Sequence, residues 1–186
     1  MEKLENLILQ YMINNPNKNY SEKMLTFLEQ PNCFSRENHK GHFTGSAWIV
    51  SRCKEFALMN YHKKLDKWIQ FGGHSDGEED LLKVAIKEAS EETGISGFKT
   101  LSSDIFDIDI HLVPFMKSQP AHYHYDVRFI LEADRKEKIK ISSESKEIRW
   151  VQLGEIYRLN SEISIQRMID KTVKLSLENK LLKDCK

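Results

Sequence analysis

Apolar positions recur every three to four residues at both ends of this chain and every second residue across much of its middle. Leu4, Leu7, Ile8, Tyr11 and Met12 share one helical face, and Met24, Phe27 and Leu28 repeat the pattern after "NNPNKNYS". A loop, "EQPNCFSRENHKG", leads into three strand-like runs, "HFTGSAWIVS", "EFALMNYH" and "KWIQFGG". A helix is predicted from about Gly77 to Thr93, followed by alternating runs in "DIFDIDIHLVPF", "HYHYDVRFILEAD" and "KEIRWVQL". A last helix is predicted through "GEIYRLNSEISIQRMIDKTVKLSLEN". No internal repeat or low-complexity tract interrupts this order. Strands, a helix, more strands and a helix make an α+β domain. The predicted division is a helical extension over residues 1–40 packed on a domain at 41–175, then a tail at 176–186.

The middle helix has an unusual end. Leu81, Leu82, Val84, Ala85, Ile86 and Ala89 form its apolar arc at about 100° per residue, with Lys83, Lys87 and Ser90 opposite. Glu88, Glu91 and Glu92 fall at one flank of the arc, overlapping Leu81 and Val84, just before Gly94. Like charges three and four residues apart repel, and acids at a helix C-terminus oppose the macrodipole. Carboxylates gathered at a partly desolvated spot call for a cation. Hard oxygen ligands favour Mg²⁺, with Mn²⁺ as the alternative. At the other end Ser75 and Asp76 are N-cap candidates, with Glu78 or Glu79 to close a capping box. Gly94 is placed as the C′ glycine, and Gly72 and Gly73 allow a tight turn that exposes backbone groups to a ligand.

Composition narrows the setting. Lysine plus arginine equals aspartate plus glutamate at 28 each, so no net field points to nucleic acid or an acidic membrane. The N-terminal helices mix acids and bases evenly, so packing or a homodimer contact is favoured over a DNA-binding module. Cys33, Cys53 and Cys185 are widely spaced and lack a CxxC pair, which favours reduced thiols. No apolar run approaches the ~20 residues of a membrane span, and no signal peptide is visible. The expectation is a soluble cytoplasmic protein.

Gly73, five residues, Glu79, seven residues and then "KEASEETGI" resemble the Nudix box, Gx5Ex7REUxEExGU with U apolar. Every fixed position matches except Lys87, where that family has arginine. The resemblance implies a Nudix fold, a mixed sheet sandwiched between helices. It also implies a MutT-like hydrolase of the pyrophosphate bond in a nucleotide or nucleoside diphosphate derivative. By the same resemblance Glu88, Glu91 and Glu92 bind Mg²⁺ with a backbone carbonyl of Gly72 or Gly73, and Glu79 braces the loop and helix. Lys87 offers one point charge where arginine offers a fork, so Glu88 is held more loosely; an i,i+4 surface pair with Glu91 is the plainer alternative. The family's catalytic base often sits on a later loop. "ISSESKEIRWV" offers Glu144 and Glu147, of which Glu144 is preferred, with Glu91 of the box as the alternative.

Other side chains remain open in role. Alternation sets Asp107, Asp109 and His111 on one face of their strand and His122, His124, Asp126 and Arg128 on one face of the next. A hairpin through "VPFMKSQPA" lays these faces side by side, as a solvent-facing surface with cross-strand pairs, a pocket lining, or a second metal site. His74 is the best single candidate for a phosphate contact, Phe71 beside the glycine pair is the aromatic expected to touch a substrate, and Arg36 could reach a phosphate from a loop position that the sequence does not fix. Trp48, Trp68 and Trp150 read as core. Pro114 and "SQP" at Ser118 to Pro120 only partly match the family's substrate signatures, so no single substrate is named. Two alternative classes are an isomerase of the isopentenyl diphosphate type, for which Cys33 or Cys53 would serve, and a non-catalytic nucleotide sensor. The intact acids favour hydrolysis.

Overall fold

The computed structural model describes residues 1–15, 18–115 and 120–184. Cys185, residues 116–119 of the expected hairpin, and Ser118 and Gln119 of "SQP" lie outside them. Along the chain run α1 (Glu2–Asn14), α2 (Lys18–Leu28), β1 (Gly41–Ser51), β2 (Phe56–His62), β3 (Lys67–Ile69) and β4 (Phe71–His74). They are followed by α3 (Leu81–Thr93), β5 (Lys99–Thr100), β6 (Asp107–Val113), β7 (His122–Ala133), β8 (Ser145–Gln152), α4 (Leu153–Ile156) and α5 (Ile163–Asp184). The class is α+β, as the alternation of periods predicts, and the sheet runs β3–β2–β1–β7–β5, with β4 on β1, β6 on β7 and β8 on β2. Contacts divide the chain into two compact units. One comprises Met1–Ala47, Gly72–Ala89 and Ser102–Phe129; the other comprises Trp48–Phe71, Ser90–Leu101 and Ile130–Lys186.

In the first unit the apolar stripes of α1 and α2 bury Leu4, Ile8, Tyr11, Met24, Phe27 and Leu28. The Phe27 ring stacks on Tyr125 of β7 at 3.8 Å between centroids. β6 pairs antiparallel with β7, setting Asp107 opposite Arg128, Asp109 opposite Asp126 and His111 opposite His124. In the second unit β2 pairs antiparallel with β3 and β8. Trp48 is fully buried there and donates from Nε1 to Thr172 of α5 at 2.9 Å.

Two boundaries differ from the expectation. The middle helix begins at Leu81, and its N-cap is Asp80. The Asp80 carbonyl accepts from Val84 N–H and its Oδ1 from Lys83 N–H at 3.3 Å. Ser75 is otherwise engaged, its buried Oγ 2.7 Å from the Phe34 carbonyl and 2.9 Å from that of Phe43. Asp76 pairs with Arg36. The C-terminal helix is two helices. Asn160 interrupts it by accepting from Glu162 N–H at 2.8 Å and donating to the Trp68 carbonyl at 2.8 Å, a side-chain competition with helical bonding.

The polar face shared by β6 and β7 turns inward at its acidic end. Arg128 is buried and meets Asp126 at 2.7 Å, Asp107 at 3.2 Å and Asp109 at 3.5 Å. Thr44 and Ser46 of β1 donate to the other oxygen of Asp126 at 2.9 and 2.7 Å. Tyr11 of α1 donates to Asp107 at 3.2 Å. The three carboxylates hold Arg128 in its charged form against the desolvation that opposes it. Arg128→Met strands three buried carboxylates without their cation and is expected to lower unfolding stability by about 3–5 kcal/mol in urea titrations. Asp109→Asn, at the longest of the three contacts, is expected to cost less.

Candidate active site

The box begins where β4 ends. At Gly73 an added Cβ would fall 2.5 Å from the Glu88 carboxylate, so the bare backbone is what lets that side chain lie against it. Gly72 is packed as tightly, against Ser46. Further along, Gly94 takes a φ of 72°, its N–H donates to the Ser90 carbonyl at 2.8 Å, and it closes α3 as the expected C′ glycine.

Along α3 the three glutamates occupy positions i, i+3 and i+4, hence one side of one helix. Their exposure is graded: Glu92 is buried, Glu88 half-buried and Glu91 exposed. Asn60, fully buried on β2, donates Nδ2–H to Glu92 Oε2 at 2.7 Å. The sequence reading does not single out Asn60. An amide beside a carboxylate is the kind of outer partner that orients metal-ligating acids. Oxygen donors alone, half withdrawn from water, one held by an amide and one against bare backbone, suit a hard divalent cation.

The remaining box residues have identifiable neighbours. Lys87 Nζ lies 3.6 Å from Glu88 Oε1. Glu79 pairs with the amino group of Met1, and Lys3 with Asp80 at 2.7 Å, so α1 is tied to the loop that opens the box. Arg36 bonds Asp76 through both Nε and Nη2. That guanidinium holds the Asp76 carboxyl below the usual carboxylate range. Glu144 is exposed just before β8, its carbonyl accepting from Lys63 N–H at 2.8 Å. Phe71 is completely buried, so its ring belongs to the core and presents no face to a substrate; strand burial outweighs proximity to the glycines.

On β1, β4 and β7 four histidines converge. The His42, His74 and His124 rings lie 4.9, 4.8 and 5.2 Å apart, centroid to centroid, taking His42–His74, His42–His124 and His74–His124 in turn. His122 stands 5.0 Å from His42 and 5.2 Å from His124. Its Nδ1 is 2.9 Å from the Pro120 carbonyl and its Nε2 is 3.3 Å from His124 Nε2. His111, across the strand pair, meets the His124 ring edge at 5.4 Å. Burial, reinforced by the surrounding rings, pushes His42 down to about 4 and His124 down to about 2. Both are neutral imidazoles at neutral pH.

His74, His122 and His124 are the sequence candidates brought together here. His42 was missed because a histidine opening an apolar strand carries no periodic signal. On the opposite face of β7, Tyr123 and Tyr125 line a groove of about 870 Å³ with Phe27, Thr26 and Lys23 of α2. The strand alternation thus separates a histidine face from an aromatic one.

The NUDIX domain family model matches residues 37–171. A probable DHNTP pyrophosphohydrolase of Lactococcus lactis subsp. cremoris is 30% identical over 120 residues, covering 62% of this chain and 69% of that protein. The asymmetrical bis(5'-nucleosyl)-tetraphosphatase of Rattus norvegicus is 28% identical over 111 residues, 56% of this chain and 69% of the rat protein. Among solved structures, an Ap4A hydrolase of C. elegans in a binary complex superposes with a TM-score of 0.57 at 14% identity, covering 72% of this chain and 96% of the other. With every fixed box position but Lys87 matched and the family model covering most of its length, the chain belongs to the NUDIX domain family.

Proposed function

We propose that the protein is a Mg²⁺-dependent pyrophosphohydrolase, cleaving the phosphoanhydride of a nucleoside diphosphate derivative or a nucleoside triphosphate by attack of water on phosphorus. The observation that carries this reading is the Glu88 carboxylate lying against the Gly73 backbone, in a helix that keeps Glu91 and Glu92 on the same side. The relatives named above act on phosphoanhydrides, by their names a dihydroneopterin triphosphate and a dinucleoside tetraphosphate.

Glu88, Glu91 and Glu92 would hold the cation, with a backbone carbonyl of Gly72 or Gly73. When bound, such a cation neutralises the diphosphate and lowers the pKa of water beside it. The chain's own groups do the rest. Asn60 orients Glu92 through its amide N–H. Lys87, 3.6 Å from Glu88, steadies that carboxylate by charge alone. Glu144 takes the proton from the attacking water, with Glu91 as the alternative base. His74, next to Gly73 in sequence, contacts a phosphate oxygen. In this reading residues 41–175 form the catalytic domain and 1–40 brace its box loop through Lys3 and Asp80.

The test is product release from ADP-ribose, NADH, dinucleoside polyphosphates, nucleoside triphosphates and dihydroneopterin triphosphate with Mg²⁺. Wild type should turn over one class, and Glu92→Gln should lose it by on the order of a hundredfold or more. Nucleotide binding without turnover on any of these would overturn the reading. Gly73→Ala places its methyl carbon on the Glu88 carboxylate and should cut kcat by on the order of a hundredfold with the fold retained by circular dichroism. An unchanged kcat in that variant would remove Glu88 from the reacting centre.

A further inference from the structure

We propose that His42, His74 and His124 form a second metal site, a three-imidazole centre for a borderline divalent cation, Zn²⁺ foremost, separate in donor chemistry from the carboxylates of the box. One nitrogen from each ring lies within 4.8 Å of the others. Ligand nitrogens on a tetrahedral ion with bonds of about 2.0–2.1 Å sit about 3.3 Å apart. Bringing them from 4.8 Å to that spacing takes about 1.5 Å of movement, within reach of small rotations about the ring torsions.

An independent observation points to a ligand. His42 is 2% exposed, and among the described residues neither of its ring nitrogens has a hydrogen-bond partner. Buried, unsatisfied polar atoms cost stability, and coordination removes one of these costs. Three imidazole rings converge there with no carboxylate among them, a nitrogen donor set of the kind that binds transition metals. Imidazole sets select Zn²⁺ and its transition-metal neighbours over Mg²⁺, so with Mg²⁺ in excess the hard ion occupies the carboxylates and the imidazoles take Zn²⁺.

His122 acts as a positioning residue. Its Nδ1–H donates to the Pro120 carbonyl at 2.9 Å, which leaves Nε2 to accept the Nε2–H of His124 at 3.3 Å. With His124 as the donor, that bond would leave Nδ1 as its lone-pair nitrogen for the metal, the usual duty of an outer partner. Three protein ligands leave a fourth position for water or an anionic oxygen. His74 and His124 are only half-buried, so the position is reachable from solvent.

The experiment uses the full, tag-free chain stripped with EDTA and titrated with Zn²⁺ against a chromophoric chelator, and with Co²⁺ for its visible spectrum. With Mg²⁺ in excess, wild type should bind one Zn²⁺ tightly per chain, and Co²⁺ should give the intense absorption of a four-coordinate nitrogen site. His42→Phe and His124→Phe should weaken Zn²⁺ by at least about a hundredfold, and His122→Phe by about tenfold with the Co²⁺ spectrum kept. Glu92→Gln should leave the Zn²⁺ affinity unchanged. Metal-free His42→Phe should unfold at or above the wild-type temperature, since it removes two unpartnered nitrogens; if that variant does not fold, His124→Phe carries the decision. No stoichiometric Zn²⁺ in wild type, wild-type affinity in the folded phenylalanine variants, or loss of binding in Glu92→Gln would each overturn the site. None of these readings depends on hydrolysis.

Discussion

The buried guanidinium of Arg128 is the constraint on which the first unit depends. A single cation faces Asp107, Asp109 and Asp126, and leaving any of these carboxylates unpartnered in a low-dielectric setting is expensive. The network therefore admits one register between β6 and β7. A slip by one residue would turn every side chain to the other face. Tyr11, Thr44 and Ser46 close it from α1 and β1, so the helical extension is bound to the strands by directional bonds as well as by apolar burial.

Register has a consequence for chemistry. With Asp109 opposite Asp126, His111 must stand opposite His124, and His122 must follow on the same face. The charged end of that face supplies rigidity, while the imidazole end supplies donors. His42 of β1 and His74 of β4 are added by strands that neighbour one another in the sheet. The outcome is a set of imidazole nitrogens that includes His74, one residue away in sequence from Gly73, the residue that receives Glu88. Borderline nitrogen and hard oxygen groups thus lie next to each other along the chain, two chemistries that favour different metals.

The glutamates of α3 illustrate why a helix keeps an arrangement that opposes its own stability. Repulsion among them and with the macrodipole is tolerable because Glu92 is held by Asn60 and Glu88 by its close neighbours Lys87 and Gly73. Local propensity is overruled by a few long-range contacts, the usual sign of a site.

Local spacing alone determined much of this protein. Positions i, i+3 and i+4 on a helix share a side whatever the fold, so Glu88, Glu91 and Glu92 were legible from the chain, as were Gly94 at the helix end and the strands of period two. The pairing of the Asp107 and Arg128 faces was legible for the same reason. Tertiary structure decided what period cannot encode. It moved the cap of α3 to Asp80 because Ser75 was committed to two distant carbonyls. It buried Phe71 despite its neighbours in sequence. It brought His42 to His74 and His124 across 32 and 82 positions of chain, a meeting set by strand pairing, for which no repeat along one strand carries a signal.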